Sequence, residues 1–161
     1  GIDITGMEFV QLTPPNQLAA LESGSIDALL SFEPTTTIAV ESGKYKAIYN
    51  SVFAELINHS PQGVSVISTK FIQDKPDLAK RTVTAFNQAF DYIKTNEAEV
   101  RTTTIQNTFK LQPNVAQKVE ILYMSRSDQV NKAVMQEYAD LMTQLGELKG
   151  KLDTSNFFYT P

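Results

Sequence analysis

The groups in this 161-residue chain that are able to do chemistry are few, and their spacing decides against most reactions. His59 is the single histidine and there is no cysteine. Metal sites built on several histidines, Cys-ligated zinc, thiolate catalysis and disulfides are therefore excluded. A Ser-His-Asp arrangement has to use His59, yet no serine stands in a Gly-x-Ser-x-Gly setting. Gly24 and Gly43 are isolated, and each reads as a helix stop rather than part of a phosphate-cradling loop. Among the carboxylates Asp27 and Glu33 are close in sequence. Six residues of extended chain still separate them by up to roughly 20 Å, too far to share general acid/base work at one bond. These residues call for binding rather than turnover, with no metal and no cofactor.

Binding chemistry has better candidates. Glu33 has two readings: a negative charge at a helix start, favoured by the dipole and free amides there, or an acceptor for a ligand amine or hydroxyl. Asp27 sits in a tight turn, where it bonds local amides or meets a ligand. Phe32 is an apolar pocket wall or a core residue. Ser60-Pro61-Gln62-Gly63 precedes a strand-like run; it is a plain turn, or a loop offering backbone N–H groups and one side-chain amide to a polar ligand.

The elements that must position these residues alternate. Met7 to Leu12 reads as a strand, and Thr13-Pro14-Pro15-Asn16 as a loop opening a helix through Leu18 and Leu21. Gly24 closes that helix, and Ile26 to Ser31 reads as a second, buried strand. Phe32-Glu33-Pro34 then lies at the strand's carboxyl end, where open α/β sheets bind ligands. Pro34 suits the first position of a helix running to Ser42. Tyr45 to Tyr49 and Gly63 to Ser68 read as further strands. Residues 69–149 read as mostly helical. One helix starts at Asp74-Lys75-Pro76 with Leu78, Val83, Phe86, Phe90 and Ile93 on one face. A second carries Val100, Ile105 and Phe109. A third runs from Pro113 to Met124 with Val115, Val119 and Leu122 inward. A fourth carries Val134, Tyr138, Leu141, Met142 and Leu145 and is capped near Gly146. Phe157, Phe158 and Tyr159 are placed to dock. Strands alternating with helices imply an α/β class with a helix-rich C-terminal half.

Composition narrows the partners. Hydrophobic residues make up 42% and charged residues 20%, ordinary for a globular chain. Net charge is −4, and the 14 lysines and arginines are scattered, so a nucleic-acid footprint is not expected. No apolar run reaches membrane-spanning length. The chain opens at Gly1-Ile2-Asp3 without an initiator Met, as expected of a processed chain or a fragment.

Leu12-Thr13-Pro14, Ala20-Leu21-x-x-Gly24-x-Ile26-Asp27-Ala28, Glu33-Pro34 and the helix ending at Gly43 resemble the nitrate/sulfonate/taurine-type solute-binding proteins of ABC importers, a group that includes thiamine-pyrimidine-precursor binders. Ser60 to Phe71, the helix opening at Lys75-Pro76-Asp77-Leu78, and Gly146-Glu147-Leu148-Lys149-Gly150-Lys151-Leu152-Asp153 extend the resemblance over nearly the whole chain. It implies a two-lobed, type II periplasmic-binding-protein fold, of which this chain is the C-terminal half. Residues 1–62 would belong to the second lobe and 63–161, a hinge strand and helices, to the first. It implies capture of a small polar or anionic ligand and delivery to a membrane permease, in the periplasm or outside the cell, free or lipid-anchored. Thr13, Pro14, Phe32, Glu33, Ser60, Gln62 and Gly63 match cleft-facing loops of the family. Helix starts near Pro14-Pro15 and Pro34 would offer free amides to an anion. The alternatives are a pyrimidine-precursor synthase-like enzyme, disfavoured by one histidine and no cysteine, and the effector-sensing domain of a transcription regulator. Because family members are about twice as long, the chain is expected to need a missing N-terminal half or to self-associate through uncovered sheet edges.

Overall fold

The computed structural model describes residues 3, 5–48, 56–57 and 63–161. Its helices are α1 (Pro14–Glu22), α2 (Thr35–Glu41), α3 (Thr69–Asp74), α4 (Pro76–Thr95), α5 (Glu97–Glu99), α6 (Gln106–Phe109), α7 (Pro113–Ala116) and α8 (Lys132–Gln144), with a π-helical turn at Val100–Ile105. Contacts within the chain gather these into two compact units. One holds Gly1–Ala47 with Arg101–Ile121, the other Ile48–Val100 with Leu122–Pro161.

In the first unit, Thr13 is extended and Pro14 and Pro15 start α1, because a first-turn position has no intrahelical partner for the N–H that proline lacks. Gly24, at φ +71°, ends the helix. Its N–H reaches the Leu21 carbonyl at 3.2 Å and the Ser25 N–H reaches the Ala20 carbonyl at 3.0 Å, which satisfies two of the carbonyls a helix end exposes. Helix α2 follows and packs against α1 and α7. Thr37, Ala39, Ala116 and Val119 are buried in this unit. Lys118 Nζ reaches Glu41 at 2.5 Å, and the Arg101 guanidinium donates to the Val119 carbonyl.

Those last two contacts explain a departure from the sequence pattern. The helix expected over Pro113 to Met124 stops at Ala116. Val119 is buried as anticipated, but its carbonyl is taken by Arg101 rather than by a following backbone N–H, and Leu122 is exposed. The expected Val100–Phe109 helix is also interrupted by the π-helical turn. Five of its six residues, Val100, Thr102, Thr103, Thr104 and Ile105, are β-branched, which crowds the preceding turn. Lys110, at φ +52°, closes that run.

In the second unit, Ser68 caps α3, accepting from the Phe71 N–H at 3.3 Å. Helix α4 carries Asp77 in its first turn and Lys94 in its last, each matched to the helix dipole. One face of α4 holds the loop at 125–129. Asn87 and Ser127 exchange two hydrogen bonds of 3.1 and 3.0 Å, and Arg126 bridges Asp91 at 2.6 Å and Asp128 at 3.2 Å. Those two carboxylates, Asp128 foremost, raise the guanidinium pKa above its ordinary value. Asn131 caps α8 through the Ala133 and Val134 N–H groups. Gly146 at φ +82° stops it with the same bonding pair seen after α1: Gly146 N–H to Thr143 and Glu147 N–H to Met142. The C-terminal tail then returns along α8. Gln136 donates to the Leu152 carbonyl at 2.7 Å and accepts from the buried Thr154 N–H and hydroxyl at 3.0 and 3.1 Å. Lys132 lies 5.5 Å from the Phe158 ring centroid.

The α/β expectation requires correction. Among the described residues there is no strand: Met7 to Leu12, Ile26 to Ser31 and Gly63 to Ser68 form no ladder, nor does Tyr45 to Ile48. Tyr49 lies outside the described residues. A strand exists only through a partner's hydrogen bonds, and these segments meet none; Phe9, Leu30 and Val66 are 78%, 63% and 89% exposed. Pro34 also sits one position earlier than expected, preceding α2 rather than opening it.

Candidate functional site

The first unit brings two of the three candidate loops together. Thr13 and Pro14 lead into α1; Phe32 and Glu33 lead into α2. The Ser31 hydroxyl donates to Gln17 Oε1 at 3.1 Å, and Gln17 Nε2 reaches the Leu12 carbonyl at 3.5 Å. The side chain of one residue thus touches the residue before Thr13 and the residue before Phe32. Gly63 lies in the second unit and is exposed. Ser60 and Gln62, with His59, lie outside the described residues.

The local chemistry of this edge is set by its helix starts. Glu33 Oε2 accepts the Thr37 N–H at 3.3 Å, so the carboxylate does sit at a helix start, the first of its two sequence readings. The Thr35 N–H is taken by the Phe32 carbonyl at 3.0 Å. At α1, prolines 14 and 15 have no N–H to give, and the Asn16 N–H reaches the Thr13 carbonyl at 2.9 Å. At the start of α1 the first donors are therefore absent or taken, and at the start of α2 the Thr35 and Thr37 N–H groups are taken. The edge presents the Glu33 carboxylate, an acceptor, and the Thr13 hydroxyl, which both donates and accepts and does not cap α1. Phe32, 57% exposed, adds an apolar face beside them. Asp27 is exposed.

Gln17 and Ser31 were not singled out by sequence. The signal was present: Gln17 follows Thr13 by four residues, one helical turn, and Ser31 immediately precedes Phe32. Among the described residues, no three His, Cys, Asp or Glu side chains gather as a metal-binding group.

Comparison with known proteins matches residues 1–107 to the NMT1-like family. The chain belongs to the NMT1-like family. This places it with the nitrate/sulfonate/taurine-type binding proteins, whose fold is of the periplasmic-binding type. The chain is also 28% identical over 151 residues to a Bacillus subtilis (strain 168) protein named "Putative aliphatic sulfonates-binding protein". That match covers 92% of this chain and 44% of the relative, so the chain spans less than half of the relative's length. No solved structure matches the chain significantly. As an NMT1-like chain it shares a solute-binding family, and the relative bears the name of a binding protein rather than an enzyme. No helix among the described residues is long and apolar enough to cross a membrane.

Proposed function

We propose that this NMT1-like chain is part of an ABC-importer solute-binding protein that takes up a small polar solute of the sulfonate, nitrate, taurine or pyrimidine-precursor kind and hands it to a membrane permease. In this reading it works in the periplasm or outside the cell and carries out no turnover. Residues 1–62 serve in one lobe of the whole protein and 63–161 in the other. The observation that carries the reading is the meeting of Thr13–Pro14 with Phe32–Glu33 at one edge of the first unit, through Gln17 and Ser31, in a chain of this family. The Glu33 carboxylate beside an exposed aromatic ring suits the members of that group that carry an N–H donor, taurine and an aminopyrimidine, rather than nitrate or a simple sulfonate, which have only acceptors. Ser60, Gln62 and Gly63 remain a separate candidate ligand loop by the family resemblance alone.

Calorimetric titration of the full-length protein with ethanesulfonate, taurine, nitrate and an aminopyrimidine tests this. The expected result is saturable one-to-one binding of at least one of them without chemical change to the solute. A folded protein that binds none of the four overturns the reading.

A further inference from the structure

From the two contacts of its side-chain amide we infer that Gln17 is a positioning residue that holds the two ligand loops of the first unit at a fixed separation, with Ser31 as its partner. The inference rests on the reading of Thr13, Phe32 and Glu33 as ligand-contacting. Gln17 sits on the fourth residue of α1, half-buried, with its stem anchored by the helix. Its amide oxygen accepts from the Ser31 hydroxyl at 3.1 Å, fourteen residues away, and its amide nitrogen points to the Leu12 carbonyl at 3.5 Å. Both partners are the residues that precede a candidate loop. Neither segment has a ladder to fix it: residues 7–12 and 26–31 run without strand partners among the described residues. Backbone that a sheet does not hold is ordered by side-chain bonds or by the ligand. Ordering that is left to the ligand subtracts from its affinity. A glutamine that bridges both segments from a helix supplies that order beforehand. Thr13 and Glu33 then face the solute from loops already in register.

The test pairs Gln17→Ala and Ser31→Ala with the double variant and with Ser31→Thr, which keeps the hydroxyl, in the full-length protein. Two readouts are taken. Amide hydrogen exchange without ligand follows peptides spanning residues 9–18 and 26–37. Titration uses ethanesulfonate and taurine. Either alanine variant is expected to speed exchange in both peptides, to raise the Kd by about three- to tenfold, and to lower the midpoint of thermal unfolding by no more than roughly 2–4 °C. The double variant is expected to be no worse than the single ones, and Ser31→Thr to restore both readouts. Unchanged exchange in the alanine variants overturns the link itself. Faster exchange with an unchanged Kd overturns the positioning role while the solute reading stands. An unmodified protein that binds neither sulfonate overturns the role together with the sulfonate reading, and the exchange result still reports whether the link exists.

Discussion

Replacing Glu33 separates the helix-start role that the structure shows from the proposed ligand role, because the two differ in size. Its carboxylate accepts one N–H, that of Thr37, at 3.3 Å, the long end of the range, and the side chain is half-buried at the start of a seven-residue helix. A charge in that position stabilises by about 0.3–1 kcal/mol. Glu33→Ala is therefore expected to lower stability by less than about 1 kcal/mol, a fall in Tm of roughly 2–4 °C for a chain of this size. A carboxylate that also bonds the solute is worth about 1.5–3 kcal/mol there, which is roughly a 10- to 150-fold rise in Kd. Glu33→Gln keeps an oxygen for the Thr37 N–H and removes the charge. It is expected to recover most of the lost Tm and little of the lost affinity. Thermal unfolding and calorimetric titration with taurine and an aminopyrimidine, the solutes that carry an N–H donor, read the two quantities on the same samples. A Kd within twofold of the unmodified protein in both variants, with the small fall in Tm present, would show that Glu33 is a helix cap and nothing more. The acceptor edge would then have to be sought elsewhere.

Two further predictions follow from the rest of the molecule. Gln136→Ala leaves the buried Thr154 N–H and hydroxyl without their acceptor and the Leu152 carbonyl without its donor; a loss of about 2–4 kcal/mol is expected, seen as a fall in Tm of roughly 5–15 °C, and a fall under about 2 °C contradicts the account of the tail. The uncovered segments around Phe9, Leu30 and Val66 are expected to drive self-association of the 161-residue chain, so light scattering should show a mass that rises with concentration; a monomer at all concentrations refutes it.

The helix ends were legible in the sequence because each is a local decision. Gly24, Gly43 and Gly146 stand where the chain needs a positive φ, and Pro14, Pro15 and Pro76 stand where a missing N–H costs nothing. The α1, α2, α4 and α8 helices were accordingly found within a residue or two. The strands were not, because a strand is a statement about its neighbour: alternation at Gly63 to Ser68 encodes a face, and no residue in that run encodes the partner. The third helix failed for a related reason. Nothing local to Val119 shows that Arg101, eighteen residues earlier, takes its carbonyl. At the candidate site, Thr13 and Glu33 were visible as loop residues by helix-start logic. Their meeting depends on Gln17 and Ser31, which are ordinary in composition and informative only in three dimensions. At α1 the idea of free amides meets a covalent limit that the sequence did contain, since Pro14-Pro15 removes two donors from the start of that helix.

What holds each unit together also bears on how the site can work. Among the described residues the buried apolar side chains are Ala39, Ile57, Ala79, Val100, Ala116, Val119 and Ala139, four of them alanines, and none of the larger side chains is fully buried. An alanine methyl permits close approach of helices but contributes only about 0.8 kcal/mol of transfer energy. Specific polar ties therefore carry much of the order within each unit: Gln136 on the tail, Asn87 and Arg126 on the 125–129 loop, Gln17 on the segments before Thr13 and Phe32. Such ties are each worth about a kcal/mol and break singly rather than cooperatively. Any partner that covers Phe9 and Leu30 would add to the order of the segments that lead into Thr13 and Phe32.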